Sequence, residues 1–100
     1  MEAESLFLVA AQELGLYEET AKAVVTSIEP VLKALNEPED LGLYYYSEAR
    51  CAEACKDLDE DVKSEACVLL WHVATRVREA WAGAVTVELR VLQALSLIHI

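Results

Sequence analysis

Basic residues are scarce in this chain of 100: eight Lys and Arg stand against eighteen Asp and Glu, a formal net charge of -10. A body so charged repels phosphate, so no binding to nucleic acid or to an anionic membrane surface is expected. Long apolar runs are also missing, and none approaches the roughly 20 residues needed to span a bilayer. Glu2 and Glu4 make the N-terminus acidic where a secretory leader is basic, so nothing points to export and a cytoplasmic setting is expected. There is no glycine-rich phosphate loop, no nucleophile signature, and no histidine near both a carboxylate and a thiol. No catalytic residue and no cofactor are therefore expected. Internal repeats and low-complexity tracts are absent as well.

What is present suits one small helical domain. Hydrophobic residues make up 55% of the chain, ample for a core and unlike a disordered acidic tail. A fold of this size buries about 60–70% of its unfolded surface, so its stability is modest without a partner or further chain. Leu6, Val9, Ala10 and Leu14 follow helical spacing over residues 4–14, with Gly15 as a stop. A second helix is predicted over residues 18–36, with Ala21, Val24, Val25, Ile28, Val31, Leu32 and Leu35 on its apolar side and Pro30 inside it. Residues 36–42 read as a turn, and residues 43–58 as a third helix. Asp57, Asp59 and Asp61 then cap a fourth. Its stripe is the longest: Val62, Ala66, Leu69, Val73, Val77, Ala80, Ala84, Val87 and Val91. Residues 85–91 also alternate as a strand would, but the stripe carries through without a change of phase, so helix is preferred.

The last six residues, Leu95, Ser96, Leu97, Ile98, His99 and Ile100, resemble an in-frame translation of a transposase mosaic-end adapter. The resemblance implies a helical domain over residues 1–94, a non-native tail over 95–100, and a natural chain that continues differently after Ala94. His99 then carries no functional weight.

Five groups of residues invite a chemical reading. Ala11, Leu14, Gly15, Leu16, Ala21 and Val24 resemble the spacing of a helix-turn-helix, which implies a DNA-reading helix presenting Tyr17, Glu18, Glu19 and Thr20. Those carboxylates repel phosphate, and Lys22 alone does not compensate. Cys51 and Cys55 lie four apart on one helical face, and Cys67 falls opposite them on an antiparallel neighbour. This pair faintly resembles the cysteine-rich four-helix copper-storage proteins, which carry many more cysteines. The resemblance implies a Zn or Cu site at Cys51, Cys55 and Cys67; the alternative is free thiols acting as small hydrophobes. His72 lies about 140° around the helix from Cys67 and beside Glu65, Arg76 and Glu79, where a solvated histidine is expected. Asp57, Asp59 and Asp61 begin like a calcium-binding loop, which fails at Val62 and Val68.

Aromatics supply the remaining groups. Tyr44, Tyr45 and Tyr46 are consecutive, so on a helix they cannot all face one core. Leu41, Gly42, Tyr45 and Ala54 fit positions of a tetratricopeptide repeat, which fails at Asp61. Trp81 is expected to pack at the edge of the long stripe. Trp71 lies about 140° from its centre, on the side shared with Arg78, and is expected to face outward.

The expectation is an all-α antiparallel bundle of four to five helices, an incomplete chain. It would serve as a non-catalytic interaction or self-association module using Tyr44, Tyr45, Tyr46 and Trp71 to bind a protein partner or a second copy. The alternatives are a thiol-based Zn or Cu bundle, and the N-terminal fragment of a larger bacterial enzyme.

Overall fold

A computed structural model describes the backbone of residues 3–35 and 39–98, and the side chains of residues 3–35 and 40–80. Five helices follow one another: α1 (Ala3–Leu14), α2 (Glu18–Ala34), α3 (Glu39–Tyr44), α4 (Glu48–Ala54) and α5 (Glu60–Ile98). No strand occurs among the described residues, and the all-α bundle stands. Residues 85–91 are helical, so the local alternation does not make a strand there. Residues 36–38, the side chains of Trp81, Ala84, Val87 and Val91, and the last two residues of the expected tail lie outside the described residues, while the backbone of residues 95–98 ends α5.

Local chemistry sets the boundaries. Gly15 takes φ 71°, and the Leu16 amide donates to the Ala11 carbonyl (2.8 Å) and the Gly15 amide to Gln12 (3.2 Å). This paired closure consumes carbonyls that a helix end leaves free, and it needs a residue tolerant of the left-handed region. Glu18 and Glu19 open α2, where carboxylates complement exposed amides. That helix continues through Pro30, whose ring nitrogen offers nothing to the Thr26 carbonyl. At α5, the Asp59 carbonyl accepts from the Val62 and Lys63 amides at 3.0 and 2.9 Å.

The predicted third helix is two helices. Residues 39–44, expected in part as a turn, form α3, and the chain breaks after Tyr44. Ser47 is the cause. Its hydroxyl accepts the Arg50 amide at 3.2 Å, starting α4 afresh with Glu48 in its first turn.

α5 is the spine, packing against each of the other four helices. Its 39 residues make a rod of about 58 Å, which accounts for the 61 Å long axis of the molecule. The stripe residues Ala66, Leu69 and Val73 are buried, and Leu70 and Ala74 are buried beside them. The packed face is wider than one stripe because α1 and α2 cover one flank and α3 and α4 the other. α2 behaves as predicted, burying Ala21, Val24 and Ile28.

In α1 the packed face is rotated from expectation. Ala3, Phe7, Ala10 and Ala11 are inside, while Leu6 (38%), Val9 (55%) and Leu14 (38%) stay exposed. Phe7 is the only phenylalanine, and its ring outweighs Leu6 or Val9 in buried area. The alanines beside it allow close helix approach, which bulkier residues on the other face would prevent.

Candidate interaction surface

The rotation of α1 leaves apolar residues outside, and they meet exposed residues of α5. Leu6, Val9, Ala10, Glu13, His72, Val73 and Arg76 line a groove of about 200 Å³. A second groove of about 330 Å³ is lined by Leu14, Val68, Trp71, His72, Thr75, Arg76 and Glu79. His72 and Arg76 belong to both, so the two grooves form one surface along α1 and α5. Val68, in the second groove, is 55% exposed. Glu13 Oε2 stands 3.8 Å from His72 Nε2 and 3.9 Å from Arg76 Nη1.

His72 is not the solvated histidine expected from its neighbours. It is half-buried, and its Nε2 is enclosed without a hydrogen-bond partner. The approach of α1 covers it, a tertiary effect that spacing along α5 alone does not reveal. Trp71 is likewise half-buried, packed against the core at one edge. The Arg78 guanidinium lies 5.3 Å over its ring, so the expected Trp71–Arg78 pairing exists. Arg78 has a further role: its Nη1 donates to the carbonyls of Gly42 (2.8 Å) and Tyr45 (3.4 Å), tying the end of α3 to α5.

The three tyrosines divide. Tyr45, expected among the partner-binding residues, is a core residue at 1% exposure, which corrects that expectation. Burial pushes its phenol well above the ordinary range, and neighbouring Tyr44 adds to the rise. Tyr44 (37%) and Tyr46 (60%) are exposed. Tyr44 and Tyr45 meet edge to face with ring centroids 4.9 Å apart. Arg50 bridges the outer pair, its guanidinium carbon 4.3 Å over the Tyr44 ring and 5.3 Å over that of Tyr46. Sequence reading missed this arginine, although its place just past the Ser47 cap and a few residues after the tyrosines was the available signal.

Cys51, Cys55 and Cys67 are free thiols, brought together where α4 and its following turn pack on α5. Cys51 and Cys55 are fully buried and Cys67 is half-buried. Burial pushes the Cys51 thiol up to about 12 and Cys55 up to about 11, with Cys67 adding to both. Cys67 is raised too, by burial and then by Glu48. Protonated thiols of this kind are weak nucleophiles and pack as small hydrophobes. Among the described residues, no group of three or more His, Cys, Asp or Glu side chains is arranged to hold a metal ion.

The helix-turn-helix candidate also reads differently in three dimensions. Thr20, expected on a presented face, is buried at 1% exposure, and its hydroxyl donates to Glu65 Oε2 at 3.4 Å. Its role is to join α2 to α5. Tyr17, Glu18 and Glu19 do face solvent. Among the described residues, no helix is long and apolar enough to cross a membrane. Comparison of the chain with protein families, curated proteins and solved structures finds no match.

Proposed function

We propose that this chain is a non-catalytic protein-interaction module that binds a partner whose surface is apolar and basic. The observation that carries the reading is the exposed apolar face of α1 and α5, formed by Leu6, Val9, Leu14 and Val68 with the half-buried Trp71. Apolar surface grouped in this way on a small domain marks an interaction site more often than a solvent face. Trp71 is the natural anchor, since a large ring already held at one edge loses little freedom on contact. The net charge of -10 disfavours a second copy at low salt and favours a cationic partner. Three free thiols support a reducing, cytoplasmic setting.

A synthetic leucine–lysine amphipathic helix tests this, with a leucine–glutamate helix as control. The lysine peptide is expected to bind, and Val68→Ala with Trp71→Ala to weaken it by about tenfold, a loss of about 1.4 kcal/mol. Equal binding of both peptides, or no effect of the substitutions in folded protein, rules the reading out.

A further inference from the structure

Resting on that reading, we propose that Tyr44 and Tyr46 form a cage for a cationic side chain of the partner, which Arg50 fills in the partner's absence. Two tyrosine rings converge on one guanidinium at 4.3 and 5.3 Å, both within the roughly 6 Å over which a ring face attracts a cation. Both rings are exposed, so the cage opens to solvent. A cavity of about 220 Å³ adjoins it, lined in part by Ser27, Tyr44, Arg50 and Glu53. The Glu53 carboxylate and the Ser27 hydroxyl offer acceptors to a group with N–H donors. Glu53 is itself held by an exposed neighbour, Lys56 Nζ, at 2.6 Å, an ion pair that water screens and a competing cation can exchange.

The resident arginine states the chemistry of the site. A planar, weakly hydrated guanidinium stacks on aromatic faces better than a compact ammonium. An arginine of a basic partner is therefore the ligand class. Arg50 sits on a separate short helix, α4, starting at Ser47, so its side chain can leave the rings without disturbing the backbone amide that the Ser47 hydroxyl holds. While it stays, it competes as a tethered ligand, and tethering gives it an effective concentration in the millimolar range. The wild-type cage is thus self-occupied and weak toward a free cation.

The test removes the competitor in the full chain. Arg50→Ala is titrated with N-acetylarginine amide, and with N-acetylcitrulline amide as a neutral counterpart, following the tyrosine ring protons by NMR at constant ionic strength. The arginine probe is expected to bind Arg50→Ala at least about twofold more tightly than wild type, as removal of a tethered competitor at millimolar effective concentration allows for a weak site. Adding Tyr46→Ala should reverse most of that gain. The citrulline probe should produce no saturable shift. Should Arg50→Ala lose helicity, Arg50→Gln replaces it, since its amide removes the charge and keeps a stem against the rings. A folded variant without saturable ring shifts overturns the cage. So does binding that survives Tyr46→Ala, which would show general attraction to an acidic body. The two proposals fail separately. Loss of the cage with leucine–lysine binding intact leaves the module reading in place, and the reverse result removes the module while keeping the cage.

Discussion

Gly42 lies where α3 comes closest to α5. A Cβ built there would stand 2.8 Å from the Ala74 carbonyl oxygen and 2.9 Å from the Arg78 amide nitrogen, both backbone atoms. Gly15 poses the opposite problem, with φ 71° and nothing within 4 Å of its added Cβ. Gly15→Ala is expected to cost about 1 kcal/mol through backbone strain alone. Gly42→Ala should cost more, about 1–3 kcal/mol, because α3 must move off α5. Urea midpoints at unchanged slope measure both, and a Gly42→Ala cost at or below that of Gly15→Ala would deny the close approach. The thiols give a second prediction. Unfolded, Cys51 and Cys55 deprotonate near 9.0, whereas folded they hold their protons to about 12 and 11. Between these values the unfolded state binds fewer protons, so stability falls as pH rises, by up to about 1.4 kcal/mol per pH unit for each thiol. Denaturation midpoints should therefore drop between about pH 9 and 11 and hold steady below, and Cys51→Ala should flatten the decline. That Cys51, Cys55 and Cys67 lie in one neighbourhood was legible from spacing, since i and i+4 share a helix face and the antiparallel return supplies Cys67, although they form no metal-holding group among the described residues. The identity of the buried tyrosine was not, because spacing alone says only that three cannot pack together.

Helix ends divide in the same way. The closure at Gly15 could be read from the sequence because it uses a residue with one strong conformational preference, and the start near Asp59 because acidic residues cluster where the first turn of α5 opens. The break at residues 45–47 could not, because Tyr44, Tyr45, Glu48, Ala49 and Arg50 all tolerate a continuous helix. What decides it is tertiary. Tyr45 packs inward and Arg78, from α5, takes the Gly42 and Tyr45 carbonyls, so the end of α3 is satisfied by a cation, as a helix C-terminus favours. Arg78→Met keeps the stem and removes the donors. It should destabilise by about 1.5–3 kcal/mol, the range for hydrogen bonds to a charged group. Arg78→Lys should recover only part, since an ammonium lacks the fork that reaches two carbonyls while stacked on Trp71. Full recovery with Lys would mean that charge alone holds α3. Ser47→Ala should cost about 1 kcal/mol, and its effect should be confined to α4 in amide exchange.

Across the whole molecule, net charge and apolar contact act over different distances, and this separates their kinetic roles. Residues 1–42 carry nine acids and two bases, against nine and six in the rest. The field from so many carboxylates acts over a screening length that shrinks from about 10 Å at 0.1 M salt to about 3 Å at 1 M. Steering of a basic partner is thus a long-range, salt-sensitive effect on association, whereas Trp71 and Val68 act only on contact. With the leucine–lysine peptide, raising salt over this range should slow association by about tenfold or more. Dissociation should change little. Trp71→Ala should do the reverse, speeding dissociation by about tenfold at nearly constant association rate, as anchor truncation does. Stopped-flow measurement of both rates in wild type and Trp71→Ala separates the two. If the substitution slows association and leaves dissociation alone, the tryptophan shapes the encounter without anchoring the complex. If salt leaves association unchanged, the acidic body plays no part in selecting the partner.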